Sequence, residues 1–324
     1  MTMRAPQQVP GSALPDRVTI YEVGARDGLQ NEKQVVPTAV KTEFISRLVD
    51  AGLRVVEATS FVHPKWVPQL ADADRLLGAL DRRDYVRYPV LVPNLTGLAR
   101  ALEHGVRDIA VFASVTETFS RRNLNRSVAA VLDMFAPVIE KARAEGIGVR
   151  AYVSMCCGDP WEGLVPAAQV VDVAVRLREL GCTEICLGDT IGVGTPGQVT
   201  GLIEALVEAG LPLDMLAVHF HDTYGQALAN VYAALQTGVT TVDSSAGGLG
   251  GCPFAESATG NLATEDLVWQ LQGLGIATGV DLEALVRTSV WMAGQLGRPS
   301  PSRTVQALAQ GPSQTRVHRA GDTA

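Results

Sequence analysis

Residues 183–222 read TEICLGDTIGVGTPGQVTGLIEALVEAGLPLDMLAVHFHD, and this stretch decides the fold. Its apolar runs predict strands over 183–188 and 215–221, and the helical spacing of apolar residues between them predicts a helix over 196–208. Two strands that are separated by a full helix pair in parallel, because a parallel pair needs a long crossover. The stretch therefore predicts one βαβ unit of a parallel sheet.

The same alternation of strand and helix runs along most of the chain. Strands are predicted over residues 18–24, 54–60, 86–92, 108–113, 148–154, 183–188, 215–221 and 240–245, and helices over 40–51, 128–145, 167–180, 196–208, 226–237, 262–274 and 282–296. Eight such units match the length of an α/β (β/α)8 barrel, or TIM barrel, about 250 residues. The alternative is a doubly wound open sheet, which usually has fewer strands and carries a nucleotide-binding loop after its first strand. This chain lacks such a loop there.

The two ends of the chain differ in composition from the barrel. Residues 1–16 are polar and Pro-rich, which predicts a flexible N-terminus without the apolar core of a secretory signal. Residues 17–298 are predicted to form a single catalytic barrel domain that ends in an added helix at 282–296. Residues 299–324, rich in Pro, Ser, Gln and Arg, predict a mobile, disordered tail.

Composition excludes several classes of protein. Hydrophobic residues make up 47% of the chain and charged residues 19%, which is a globular profile. A net charge of −7 argues against nucleic acid as the main partner, and the absence of a run of ~20 apolar residues argues against a membrane span. The cysteines number five and form no C-x-x-C pair, so a disulfide framework and a zinc quartet are disfavoured. A reducing, cytoplasmic location is the natural expectation.

Polar side chains gather where the predicted strands end. In a barrel of this kind the catalytic groups lie at the carboxyl ends of the strands. The residues found on or just beyond these ends are Arg26, Asp27, Gln30, Glu57, Ser60, Asp189, Thr190, His219, His221 and, after the glycine-rich stretch at 247–251, Cys252 and Asn261.

The pattern His219-Phe220-His221 indicates a metal site. On a strand, residues i and i+2 point to the same side, so both imidazoles can reach one ion. The chain has only five histidines, and two of them meet at this strand end. With Asp27 across the barrel, the mixture of oxygen and imidazole ligands suits Mg2+ or Mn2+ better than a closed zinc site.

Two further charged residues are candidates for catalysis. Arg26 can form a surface ion pair with the adjacent Asp27, or it can remain free to stabilise an oxyanion beside the metal. Glu57 lies within an apolar strand, where an unpaired carboxylate is costly. We expect it to pair in the barrel mouth, with Arg26 or a histidine, unless it faces outward beneath a helix.

Two glycine-rich segments need separate interpretations. The stretch 247–251 precedes Cys252 and lacks the Lys-Ser/Thr of a phosphate loop, so it predicts either a flexible loop with an inert thiol or a lid with a reactive one. The stretch 192–197 fits G-x-G-x-x-G, but it follows the sixth strand, and the next strand ends in histidines. We therefore exclude a dinucleotide site and predict Thr195 as a helix N-cap with Pro196 as the first helical residue.

Five motifs on different strands resemble the 3-hydroxy-3-methylglutaryl-CoA lyase family. They are EVGARDGLQNE (22–32), TSFVHPKWVP (59–68), LGDTIGVGTPG (187–197), HFHDTYGQALAN (219–230) and GGLGGCPF (247–254), and the resemblance extends over residues 18–296. Many relatives have His-Cys-His where this chain has His-Phe-His, and Phe220 is expected to face away from the metal. The tail lacks the cysteine pair that some relatives use, so thiol switching through the tail is not expected.

The resemblance implies a set of functional residues and an acyl-CoA substrate. It implies a homodimer and a Mg2+ or Mn2+ ion. The ion would be held by Asp27, His219, His221 and Asn261. Arg26 would stabilise an enolate, Cys252 would transfer a proton, and Glu57 would act beside them. Substrate contacts are implied for Gln30, Ser60, Asp189 and Thr190, and the CoA arm would follow Asn123, Arg121, Arg122 and Arg126, a stretch that also fits a solvated loop.

The implied reaction is a retro-Claisen cleavage of 3-hydroxy-3-methylglutaryl-CoA into acetyl-CoA and acetoacetate, as in leucine degradation and ketone-body formation. Asp27, His219 or Glu57 would take the proton of the C3 hydroxyl. Three alternatives stay open. One is a sister lyase for another 3-hydroxy acyl-CoA, of the isohexenylglutaryl or citramalyl type. The others are a condensing synthase of the isopropylmalate or homocitrate type and an inactive acyl-CoA-binding scaffold.

Overall fold

The computed structural model describes residues 3–251 and 260–309, and its parallel strands form one curved sheet. The strands in chain order are β1 (Thr19–Glu22), β2 (Val55–Val56), β3 (Thr59–Ser60), β4 (Val90–Leu91), β5 (Asp108–Ser114), β6 (Gly148–Ser154), β7 (Gly158–Asp159), β8 (Gly163–Leu164), β9 (Glu184–Asp189), β10 (Leu216–Phe220) and β11 (Thr241–Ser244). β7 and β8 form a separate antiparallel hairpin. The other nine segments are ordered β2-β1-β11-β10-β9-β6-β5-β4-β3.

The sheet closes on itself because β2 and β3 are the two halves of one predicted strand. Between them, the Glu57 amide donates to the carbonyl of Glu22 at 2.9 Å, on the side of β1. The next amide, Ala58, donates to the carbonyl of Pro89 at 2.9 Å, on the side of β4. One strand thus bonds to both ends of the sheet. Nine segments with two halves merged make eight strands, which confirms the predicted (β/α)8 barrel.

Helices surround this barrel. In the described residues they are α1 (Thr38–Asp50), α2 (Ala73–Ala79), α3 (Leu95–Glu103), α4 (Glu117–Leu124), α5 (Val128–Ala144), α6 (Ala167–Leu180), α7 (Pro196–Glu208), α8 (Ala227–Gln236), α9 (Thr264–Gly273), α10 (Leu282–Leu296) and α11 (Arg303–Leu308). The main apolar core lies between the sheet and the helices. A smaller apolar cluster fills part of the barrel interior, with Leu91, Ala110, Tyr152, Cys186 and Ala217. In the part of the chain that the structure describes, no helix has the length and apolarity to span a membrane.

Local predictions differ from the structure at several points, and two of these differences have a direct physical reason. The strand predicted over 86–92 is reduced to Val90–Leu91, because the flanking Pro89 and Pro93 have no N–H to donate to a sheet ladder. The mobile tail predicted from residue 299 is wrong for residues 299–309. There, Ser302 caps α11 by accepting from Val305 N at 3.1 Å and donates to Asp266 at 2.9 Å. The predicted tail residues 310–324 lie outside the described residues.

The N-terminal segment has no helix or strand between residues 3 and 16, as expected for a segment without apolar periodicity. It is nevertheless attached to the barrel at two points. Val9 N donates to the carbonyl of Gly273 at 2.8 Å, and the carbonyl of Asp16 accepts from Ala277 N at 2.9 Å.

Two buried carboxyl groups join the segments that carry the predicted site residues. Glu22 at the end of β1 accepts from Gly24 N at 2.8 Å, from Ala246 N at 2.8 Å and from the Thr264 hydroxyl at 2.6 Å. Glu265 accepts from Gly247 N at 2.8 Å and from a serine hydroxyl on α10. Burial outweighs these hydrogen bonds and raises the pKa of Glu22 to about 7 and that of Glu265 to about 8.

We expect the stability of the protein to fall as the pH rises toward 8. A carboxyl whose pKa is raised on folding, here from 4.5 to about 8 for Glu265, contributes stability that is fully present below the unfolded pKa. That contribution is lost as the pH rises through the folded pKa. Between a pH of 4.5 and a pH of about 8, the free energy of unfolding measured with urea should fall less steeply for Glu265→Gln than for the wild-type chain. Glu145→Gln, on an exposed ion pair with Lys141, should leave the slope unchanged. Equal slopes for wild type and Glu265→Gln would contradict the assignment.

Candidate active site

A cavity of about 800 Å³ opens at the carboxyl ends of the barrel strands. Its wall combines polar groups at the strand ends with aromatic and apolar side chains from the loops. Among the residues that line it are Arg26, Asp27, Gln30, Trp66, Phe112, Arg122, Asn123, Tyr152, Ser154, Thr190, His219 and His221. This is the place where barrel enzymes carry their catalytic groups, and most of the predicted site residues meet there.

A π-helical turn at the end of β1, Gly24–Gly28, places Arg26 and Asp27 in the cavity wall. Both glycines are required by close packing. A Cβ at Gly24 would meet a carboxylate oxygen of Glu22 at 2.6 Å, and one at Gly28 would meet the Ser245 hydroxyl at 2.7 Å. The turn therefore lies against the base of the neighbouring loop, and its two charged side chains face the barrel mouth.

Asp27, His219 and His221 form a group that could hold a metal ion. One ligand atom from each residue lies within 4.8 Å of the others. The strand alternation predicted for the two histidines is present, because Phe220 between them packs into the apolar core on the helix side. Burial disfavours the ionised form of Asp27, but Arg26 and the two histidines outweigh it and lower the pKa of Asp27 to about 2. The carboxylate is thus available as a charged ligand at any physiological pH.

Asn261 lies beside this group, as a fourth ligand would. Its Nδ2 donates to Asp27 Oδ2 at 2.8 Å and to the Leu249 carbonyl at 3.1 Å, and its backbone pairs with His221. Its Oδ1 is buried and has no hydrogen-bond partner among the described residues. A buried amide oxygen without a donor fits a hard cation such as Mg2+ or Mn2+, and the whole set of oxygen and imidazole donors fits the same class of ion.

Arg26 is held between two carboxylates. Its guanidinium donates to Asp27 Oδ1 at 2.8 Å and, from Nε and a terminal nitrogen, to Glu57 Oε2 at 2.8 and 2.7 Å. The expected pairing of Glu57 in the mouth is therefore present, and the outward-facing alternative is not. Burial raises the pKa of Glu57, although Arg26 opposes the shift. The second Glu57 oxygen is buried without a hydrogen-bond partner in the described residues.

Two residues that the sequence did not single out complete the site. Tyr152 donates its hydroxyl to Glu57 Oε2 at 3.0 Å and lies under the Arg26 guanidinium, 5.2 Å from ring centroid to Cζ. Asp243 on β11 lies 3.1 Å from His219 Nδ1. Their sequence signal is weak, because a tyrosine is ordinary in a strand. The contact that the single Asp in TTVDSS (240–245) makes in the site can be seen only when its neighbour on the adjacent strand is known.

The remaining predicted residues divide into two groups. Gln30, Thr190 and Asn123 line the cavity. Ser60 and Asp189 do not line the cavity. Instead, their side chains accept hydrogen bonds from nearby backbone amides, and the Ser60 hydroxyl accepts from Val62 N at 3.1 Å. The Asp189 carboxylate accepts from the amides of the turn after β9 at 2.8 and 3.1 Å. Their predicted contact with substrate stays a prediction. Cys252 lies outside the described residues.

Comparison with known proteins places most of the chain in a family. Residues 17–291 match the family model described as HMGL-like. The chain is 52% identical over 295 residues to the mitochondrial hydroxymethylglutaryl-CoA lyase of Arabidopsis thaliana, a match that covers 91% of this chain and 63% of that relative.

Solved structures agree with this result. The hydroxymethylglutaryl-CoA lyase of Pseudomonas aeruginosa is 49% identical, with a TM-score of 0.89 over 92% of this chain and 99% of the other. An HMG-CoA lyase from Acinetobacter baumannii, solved with coenzyme A and 3-methylmalate, is 34% identical. Its TM-score is 0.86 over 96% of this chain and 99% of the other. With its barrel and the charged group at the barrel mouth, the chain belongs to the HMGL-like family.

Proposed function

We propose that this protein is a carbon–carbon lyase that cleaves 3-hydroxy-3-methylglutaryl-CoA into acetyl-CoA and acetoacetate. The observation that carries the proposal is the group of Asp27, His219 and His221 beside Arg26 in the wall of a large cavity. The names of the relatives support the same substrate, and the volume of the cavity admits a small branched acyl group.

A divalent cation, Mg2+ or Mn2+, is part of the proposal. Asp27, His219, His221 and Asn261 would hold it, and a bound cation would supply Lewis-acid polarisation of the substrate hydroxyl and a neighbouring acid oxygen. The donor set contains no thiolate, which favours these hard ions over a closed zinc site.

The chain's own residues would carry the proton transfers. A base takes the proton of the C3 hydroxyl, the electron pair of the O–H bond becomes the new carbonyl, and the C2–C3 bond breaks. The electrons of that bond go to the thioester enolate. Glu57 is a candidate base because burial raises its pKa and one of its oxygens is free of hydrogen bonds from the described residues. Asp27 and His219 are the alternative candidates for this base, and both are also proposed ligands of the metal ion.

Arg26 would stabilise the enolate. Burial opposes its charge, but Glu57 and Asp27 outweigh burial and raise the pKa of Arg26 well above its ordinary value, so it stays a cation. Because two carboxylates fix the guanidinium before substrate arrives, it needs no reorganisation during the reaction. Cys252 would then donate a proton to the enolate carbon and so complete acetyl-CoA.

The CoA arm would leave the cavity along α4. Arg122 and Asn123 line the cavity there, and the Arg122 guanidinium stacks 4.4 Å from the Trp161 ring centroid. Arg121 instead pairs with Glu117 at 3.3 Å on the exposed side of the helix. Coenzyme A bound to the Acinetobacter baumannii relative supports an acyl-CoA substrate. We further propose a homodimer, as the sequence resemblance implies, and a cytoplasmic location, as the cysteine pattern suggests.

The second candidate function is a sister lyase. The apolar part of the cavity wall, with Val62, Leu91, Phe112 and Phe119, would admit a longer or differently branched acyl chain. A condensing synthase is less favoured, because the relatives that match most of this chain are named hydroxymethylglutaryl-CoA lyases.

The first test is of ion dependence and products together. With 3-hydroxy-3-methylglutaryl-CoA, chelated protein should be inactive, and Mg2+ or Mn2+ should restore release of acetoacetate with acetyl-CoA intact. His219→Ala should lose bound metal and turnover together, because it removes a proposed ligand. Full turnover in excess chelator would overturn the metal mechanism.

The products distinguish the alternative enzymes. A stoichiometric free-thiol signal after quenching would indicate a synthase or thioesterase, and inactivity with this substrate but activity with a longer one would indicate the sister lyase.

The second test separates Arg26 from the ligands. Arg26→Gln should retain metal and lose at least ~100-fold in kcat, about 3 kcal/mol, because it removes a preorganised charge at the enolate. It should also unfold at lower urea, since Glu57 is left buried without its cation. The double variant Arg26→Gln with Glu57→Gln should recover stability but not activity.

Cys252→Ala should likewise retain metal and lose turnover. Near-wild-type rates in either single variant would remove that residue from the mechanism.

A further inference from the structure

A second set of buried charges lies inside the barrel, beneath the cavity. Arg150 on β6 pairs with Asp243 on β11 and with Glu184 on β9. The side chains of Arg150 and Asp243 are 4% and 0% exposed, so both charges are removed from water. The free-energy cost of burying these two charges is offset by their attraction to each other and by the other contacts of the two side chains. None of these three residues lines the cavity.

This set touches the proposed metal site at one point. Asp243 uses its two oxygens separately: Oδ1 accepts from Arg150, and Oδ2 lies 3.1 Å from His219 Nδ1. A carboxylate at this distance from Nδ1 makes a hydrogen bond when that nitrogen carries the proton. In that tautomer the neutral ring has a free lone pair on Nε2. Nε2 is then the nitrogen that can bind a metal ion together with Asp27 and His221.

The position of Asp243 is itself fixed. Sheet pairing sets it directly beside His219, because the register between β10 and β11 pairs the two residues. The Arg150 guanidinium lies between two aromatic rings, 3.9 Å from the Tyr21 centroid and 5.1 Å from the Tyr152 centroid. A planar cation stacked in this way has little freedom to turn, so it holds the carboxylate in one orientation.

We propose that Asp243 is a positioning residue for the metal site. With Arg150 behind it, Asp243 keeps His219 in the tautomer protonated at Nδ1 and directs Nε2 to the ion. A carboxylate behind a metal-bound imidazole fixes the ring orientation and raises its basicity as a ligand. The proposal rests on the proposed function to the extent that it requires a divalent cation at Asp27, His219 and His221.

The test measures Mn2+ binding to the intact protein without substrate, by the electron paramagnetic resonance signal of the free ion. Asp243→Asn keeps the size of the side chain and removes its charge. We expect it to weaken Mn2+ binding about 10- to 100-fold, the usual effect of removing such a partner. The matched control is Asp72→Asn, which breaks another buried ion pair, that of Asp72 with Lys41 at 2.8 Å, and neither of these residues lines the cavity. It should cost stability and leave Mn2+ affinity unchanged.

A second measurement shows the tautomer directly, and its first part uses the wild-type protein alone. Nuclear magnetic resonance of isotope-labelled imidazole nitrogens in the Mg2+-loaded wild type should show His219 protonated at Nδ1 and unprotonated at Nε2. In Asp243→Asn the Nδ1 signal should shift, whereas in Asp72→Asn it should not. A wild-type His219 protonated at Nε2 would overturn the proposal, and so would wild-type Mn2+ affinity in a folded Asp243→Asn. Absence of Mn2+ binding by the wild type would instead overturn the metal site itself.

Discussion

The interior of this barrel depends on compensation of buried charge. Two arginines, Arg26 near the mouth and Arg150 below it, are each held between two carboxylates. Tyr152 lies between them, 5.2 Å from one guanidinium and 5.1 Å from the other. With all four carboxylates ionised, four negative charges face two positive ones, and two remain uncompensated. A divalent cation would balance that excess, and its proposed ligands Asp27, His219 and His221 lie at the barrel mouth, beside Arg26.

The same constraint explains how the mouth is assembled from distant parts of the chain. Asp27 is bonded to Arg26 on one side and to Asn261 on the other, so one carboxylate joins the first strand to the segment after the last. Glu22 repeats this connection one layer lower, through the amide of Ala246 and the hydroxyl of Thr264. Removing either carboxylate therefore disturbs both the electrostatics and the position of a neighbouring segment.

The sequence predicts the barrel and much of the candidate site for physical reasons that are local. The spacing of apolar residues reports strands and helices, and two histidines at i and i+2 report a shared direction. Glu57 in an apolar strand requires a partner wherever it lies, and Arg26 is that partner. These features need no knowledge of which strands are neighbours.

The parts that the sequence did not predict depend on packing between distant segments. Asp243 acquires its proposed role only through the register that sets it beside His219, and Tyr152 enters the site only through its contact with Glu57 across the barrel. The helix α11 is missed because its composition resembles a mobile tail. Its order comes from the contacts of Ser302 and Thr304 with Asp266. The π-helical turn at Gly24–Gly28 likewise reflects what packs against it.

The register of β10 also determines which changes of chain length the barrel tolerates. His219 faces the mouth and Phe220 the helix layer, so inserting one residue ahead of them within the strand would exchange their directions. An imidazole would enter the apolar shell, and a phenyl ring would occupy the place of a proposed ligand. Inserting two residues would restore the directions but displace the histidine by one repeat of the strand, ~6.6 Å. A longer loop on the opposite rim of the barrel would leave the register of β10, and with it the direction of the proposed ligands, unchanged.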